Sequence, residues 1–208
     1  MKNTKPNSDQ SDGLLWQQLK QGTELALGKL ISRYFNLLLN YGQKFVRDEA
    51  FVKDCVQEVF IEIWNRRDRI TTPDSVRAYL LSSVRKRVIR EGFRQQIVRD
   101  NEPADVENND QFIAFSPEWT IIEGETLAET TQRIAEALAK LTKRQREAIY
   151  LRYYQNLERD EIAAIMNVTP QSVSNLLQVA YASMRDNWVV MVMLAAGIRA
   201  SGWQTSFF

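Results

Sequence analysis

Four side chains at the start of one helical segment carry chemistry that a base edge can answer. Gln171, Ser172, Ser174 and Asn175 follow Thr169 and Pro170. Gln and Asn present a donor beside an acceptor, which matches the major-groove edge of adenine, and a serine hydroxyl serves either base type. A second group, Asp54, Gln57 and Glu58, is spaced i, i+3 and i+4, so all three share one helical face ready for a basic partner. A third is the run Arg85, Lys86, Arg87, Arg90 and Arg94. Within it Arg87, Arg90 and Arg94 form a stripe that can track a phosphate backbone, giving affinity and salt dependence rather than sequence choice.

Acid–base and metal chemistry have little to work with. The 208 residues include no histidine and one cysteine, Cys55, which removes the usual neutral-pH base, the commonest metal ligand and any internal disulfide. The 8 glycines fall into neither GxGxxG nor GxxxxGK[ST], so a nucleotide cradle has no support. Serine, lysine or carboxylate catalysis stays formally open, but no nucleophile–base pairing can be proposed. The expectation is a protein that is not an enzyme and takes no cofactor and no metal. No charged-then-apolar leader opens the chain, and its longest apolar stretch, 188–196, is about half a membrane span. A cytoplasmic protein without direct membrane insertion is expected.

The net charge of +1 conceals a segregation. Residues 65–99 carry 10 basic and 3 acidic groups, and residues 100–130 carry 9 acidic groups and no basic one. Two solvated surfaces would fit this pattern. So would a nucleic-acid binder whose basic helix is followed by an acidic tether.

The elements that must position these groups read as helices throughout, which makes the fold class all-α. Leu27, Leu30, Ile31, Tyr34, Leu38, Tyr41 and Phe45 recur in steps of three and four, with Thr23-Glu24 as a start. Phe51 to Trp64 repeats the pattern, and Cys55 lies near its apolar face. A Pro-containing loop, 67–75, precedes a third helix over 76–93 with Val76, Tyr79, Leu80, Val84 and Val88 as its stripe. Ser116-Pro117 restarts helical structure, Phe115 and Trp119 should pack there, and Thr142 with Gln145 forms a capping box for a helix through Tyr154. Tyr150, Tyr153 and Tyr154 read as packing residues. Residues 157–178 read as a helix-turn-helix: a short helix with the small Ala163 at its crossing, a turn at Asn167, and a second helix capped by Thr169. The expected organisation is a loose end over 1–11, a helical domain over 12–95, an acidic linker over 96–116, a second helical domain over 117–188, and an apolar tail over 189–208.

These residues carry a family resemblance. Leu141, Gln145, Arg146, Glu147, Leu151, Arg152, Leu157, Glu161, Ile162, Ala163 and Val173 resemble region 4 of the sigma-70 family. Asp54-x-Val56-Gln57-Glu58-Val59-Phe60-x-x-Ile63-Trp64, then Ala78-Tyr79-Leu80 and Val84-Arg85, resemble region 2. Two regions, a short linker and about 200 residues resemble the extracytoplasmic-function subgroup.

The resemblance implies a subunit that binds core RNA polymerase through Asp54, Gln57 and Glu58 and meets promoter DNA with both domains. It assigns Arg69, Tyr79, Arg85, Lys86, Arg87, Arg90 and Arg94 to the −10 element, with a base flipped against the loop at 68–75. Arg144, Arg152, Arg159, Thr169, Gln171, Ser172, Ser174 and Asn175 are assigned to the −35 element. An anti-sigma factor is implied as a further partner, and a monomer is expected outside complexes. The linker would either thread toward the polymerase cleft as a nucleic-acid mimic or serve as a spacer. Two departures stand out. Arg85-Lys86 replaces the family's usual Arg-Asn, and no Lys or Arg lies between Pro170 and Met184, which leaves phosphate grip to Arg144, Arg146, Arg152, Arg159 or helix N-terminal amides. The alternative reading is a free-standing helix-turn-helix regulator that binds duplex DNA without polymerase.

Overall fold

The computed structural model describes residues 8–100 and 136–185, which fall into two helical units. There is no strand among the described residues, in keeping with an all-α chain. The first unit holds α1 (Ser8–Lys20), α2 (Glu24–Gly42), α3 (Glu49–Asn65) and α4 (Val76–Asp100). The second holds α5 (Lys143–Ile149), α6 (Arg159–Met166) and α7 (Pro170–Arg185), with residues 136–139 also helical.

The apolar stripes read from the sequence are the faces that pack. Leu30, Tyr34, Leu38 and Tyr41 of α2 meet Val52, Val56, Val59, Phe60 and Ile63 of α3, all buried. Asp48 caps α3 by accepting from the Phe51 amide at 3.1 Å. At Gly42 α2 packs tightly on α3: a Cβ there would lie 2.4 Å from Val52 Cγ1, too close without a shift, which favours glycine. Cys55 is buried in this layer, and burial pushes its thiol up to about 11.

Three expectations need correction. The N-terminal end is not loose over its whole length, because α1 begins at Ser8 and sends Leu15, Trp16 and Leu19 into the core. Asp12 explains why a polar start can fold: it is 1% exposed and accepts hydrogen bonds from Arg33 and Tyr34 of α2. Burial, and then the bond to Asp12, raise the Tyr34 phenol above its ordinary range. At the other end, α4 continues past Phe93 to Asp100, so the first five residues of the expected linker are helical. The helix expected through Tyr154 is not uniform either. After Ile149 it widens into a π turn over Tyr150–Tyr154, closed by Gln155 N–H to the Tyr150 carbonyl at 3.0 Å.

The capping box forms as read: Gln145 N–H donates to Thr142 Oγ1 and the Thr142 amide donates to Gln145 Oε1, at 3.3 and 2.9 Å. Tyr150 is fully buried and Tyr153 bonds Tyr181 at 2.7 Å, as packing residues should, whereas Tyr154 is 60% exposed and stacks its ring on Tyr150 at 5.0 Å. The start at Ser116-Pro117, Phe115, Trp119, residues 101–116 of the linker and the tail 189–208 lie outside the described residues. Among the described residues no helix is long and apolar enough to cross a membrane.

Candidate nucleic-acid interface

In the second unit, α6, a turn and α7 form the helix-turn-helix. Asn167 takes a φ of +55° at the turn, a conformation that asparagine tolerates better than most residues. Thr169 Oγ1 then accepts from the Ser172 amide at 3.1 Å, and Pro170 opens α7. Ile162, Ala163, Ile165 and Val173 are buried at the crossing, while Leu176 and Leu177 are half-buried. This packing leaves Gln171 and Asn175 exposed and Ser172 and Ser174 half-exposed.

The four polar residues are not idle in the isolated protein. Gln171 Nε2–H donates to Asn175 Oδ1 at 3.1 Å, Ser174 donates to the Pro170 carbonyl at 3.2 Å, and the Thr169 and Ser172 hydroxyls lie 2.8 Å apart. Of the nearby cations, Arg159 is exposed and ion-pairs with Asp160 at 3.4 Å, and Arg144 is half-buried. Arg152 spends its guanidinium on the fold: one N–H group donates to the Leu157 carbonyl at 2.9 Å and to Glu158 at 3.0 Å, fixing the chain after the π turn. Burial lowers the pKa of Arg146.

In the first unit, Asp54, Gln57 and Glu58 are all exposed along α3, as their spacing requires. The basic run on α4 behaves differently along its length. Lys86, Arg90 and Arg94 are exposed. Their i, i+4, i+8 spacing sets them about 6 Å apart along one face. Arg90 and Arg94 share Glu91 at 3.0 and 3.6 Å, exposed pairs that cost little to exchange.

Arg85 does not join them. It is 8% exposed, with its guanidinium over the Phe45 ring at 6.0 Å. The expected stripe of Arg87, Arg90 and Arg94 is broken too, because Arg87 turns toward α3 and bonds Glu62 at 2.7 Å, with Glu58 at 3.8 Å. The cause is geometric. α4 packs against both α2 and α3, so its buried arc is wide enough to take in position 85, four residues from Leu81 and three before Val88.

Between α3, the loop after it and α4 lies a cleft of about 240 Å³. Val59, Ile63, Ile70 and Tyr79 form its apolar part. Ser83, Lys86, Arg90 and the Glu62 carboxylate, paired with Arg66 and Arg87, form its polar rim, in which cations outnumber the single acid. Arg69 stands exposed on the loop beside Ile70. The apolar wall with a cationic rim is the chemistry that a stacked base and its phosphate need. Ile70 and Ser83 are absent from the residues that motif and spacing point to; their signal is only their position flanking the basic helix, which spacing alone does not single out.

Comparison with known proteins agrees with both units. The sigma-70 region 2 profile matches residues 30–96 and the sigma-70 region 4 profile matches residues 131–184. The chain is 28% identical over 176 residues to the RNA polymerase sigma factor CnrH of Cupriavidus metallidurans, covering 80% of this chain and 88% of that protein. It is 23% identical over 185 residues to the probable RNA polymerase sigma factor RfaY of Xanthomonas campestris pv. campestris, covering 86% of this chain and 45% of that one. Similar folds occur in CnrH solved in complex with the cytosolic domain of CnrY (TM-score 0.53, 20% identity, 90% of this chain and 99% of that one). The sigma factor RpoE in complex with the anti-sigma factor NepR from Bartonella quintana also compares (TM-score 0.51, 15% identity, 79% and 96%).

Proposed function

The chain belongs to the sigma-70 family of RNA polymerase sigma factors, in its extracytoplasmic-function subgroup, and from that premise we propose how its residues divide the work of transcription initiation. Asp54, Gln57 and Glu58 dock on core polymerase. Lys86, Arg90 and Arg94, with Arg69, hold the backbone near the −10 element, and the Ile70–Tyr79 cleft receives a displaced base. Gln171, Ser172, Ser174 and Asn175 read the −35 element, with Thr169 setting the helix start. Arg85 and Arg87 serve the fold and leave the DNA to their neighbours. The subunit contributes recognition and duplex opening; bond-making belongs to the polymerase.

One observation carries this reading: a single unit combines an exposed acidic face on α3 with an exposed cationic ridge on α4. A free-standing regulator needs the ridge and has no use for the face. CnrH was solved with the cytosolic domain of CnrY and RpoE with the anti-sigma factor NepR, and an anti-sigma factor is the corresponding partner here.

The docking assignment is tested by reversing Asp54 and Glu58 to lysine and capturing core polymerase on the tagged chain. Recovery should collapse, with helical content by circular dichroism retained. Equal recovery from the reversed and the wild-type chains removes the assignment.

A further inference from the structure

Trp16 is the largest fully buried side chain in the first unit, and two of its contacts lead to the cleft. Its indole Nε1–H donates to the Thr71 carbonyl at 3.2 Å, across 55 residues of sequence. Its ring meets Tyr79 edge-on, with centroids 5.2 Å apart and planes at 74°. Thr71 directly follows Ile70, and both Ile70 and Tyr79 line the cleft. One buried side chain of α1 therefore touches the supports of two cleft walls that belong to different elements.

The loop itself is anchored at its ends. Arg69 and Ile70 amides donate to the Arg66 carbonyl at 2.8 and 3.1 Å, and Ser75 Oγ accepts from the Ala78 amide at 3.2 Å, capping α4. Between these anchors, the Trp16 bond ties the loop to the body of the unit. A receptor for a displaced base must repay the few kcal/mol lost when the base unstacks. A wall free to shift repays less, because ordering it consumes part of the gain.

We propose that Trp16 is a positioning residue for base recognition at the −10 element, holding the Ile70–Thr71 segment and the Tyr79 ring in the spacing that a displaced base enters. This rests on the reading of the cleft given above. With no exposed surface, Trp16 touches no DNA; it acts through the loop carbonyl and through Tyr79. The indole N–H is the part of the side chain that a purely packing role would not need.

The test uses the full chain in complex with core polymerase and forked promoter DNA recovered from a run-off selection over a randomised −10 segment. Trp16→Phe removes the donor and part of the ring. Replacing Trp16 with benzothienylalanine keeps the shape and removes the N–H alone, so it remains informative if the Phe variant folds poorly. The readout is the ratio of affinities for the selected base and for a substituted base at the opened position. General weakening lowers both affinities and leaves their ratio unchanged. The expected result is a ratio reduced about fivefold, the equivalent of one ordinary hydrogen bond, with core-polymerase affinity unchanged. An unchanged ratio for the benzothienyl variant overturns the inference and leaves the cleft reading standing. A wild-type complex that discriminates no base at all overturns both.

Discussion

The two helices proposed to face DNA, α4 and α7, expose opposite chemistries. α4 is rich in cations, yet the fold withdraws Arg85 against Phe45 and Arg87 against Glu62, so that Lys86, Arg90 and Arg94 remain exposed. α7 has no cation from Pro170 to Met184, and its exposed amides bond each other. A base that binds Gln171 and Asn175 must exchange an existing hydrogen bond for new ones, which offsets part of the gain. In the proposed reading, charge on α4 supplies grip and the hydrogen-bond pattern on α7 supplies choice. Exposed charge after packing, rather than counted charge, sets what each helix can do.

The sharpest way to break this contrast is within α4. Arg85→Ala should cost the fold about 2–3 kcal/mol in a denaturant melt, because a buried side chain over an aromatic ring is removed, and the salt dependence of DNA binding should stay as it is. Replacing Lys86, Arg90 and Arg94 together with alanine should do the reverse. Stability should barely change, while the slope of log K against log salt becomes shallower by about 2–3, near 0.7–0.9 for each phosphate no longer neutralised. If the two variants exchange behaviour, the division between fold and DNA contact on α4 is wrong.

Smaller effects sharpen the α7 side. Gln171→Ala or Asn175→Ala should cost about 1–3 kcal/mol at one −35 base pair and relax preference there, read by competition among single-base promoter variants. Neither should alter the salt slope, since neither carries charge. Thr142→Ala removes the capping box and should destabilise the second unit by about 1 kcal/mol, seen in thermal unfolding. The least consequential change concerns Cys55. Its raised pKa keeps the thiol protonated, so a maleimide at pH 8 should label the denatured chain and spare the native one. The same shift adds stability below the ordinary thiol range, and that stability is lost as pH climbs toward about 11.

What was legible in the sequence was what local rules govern. The stripes of α2 and α3, the Thr142–Gln145 box and the Asn167 turn with its Thr169 cap all follow from helical period and capping chemistry, and each formed. What was not legible depends on partners far away in sequence. Asp12 makes α1 foldable through Arg33 and Tyr34, more than twenty residues on. Arg85 looks like its basic neighbours until α2 and α3 are in place to bury it. The cleft is equally nonlocal, since Ile63, Ile70, Tyr79 and Lys86 come from three elements. The π turn at Tyr150 has no compositional signature that separates it from an ordinary helix.

The proposed division gives exposed cations to one promoter element and uncharged readers to the other. Run-off transcription from a library randomised over both elements, with core polymerase alone or supplemented with the chain, tests that division most directly. Transcripts are expected only when both proteins are present, from templates sharing a −10 and a −35 sequence at fixed spacing. Tight, sequence-specific duplex binding by the chain alone, without polymerase-dependent transcripts, would contradict it.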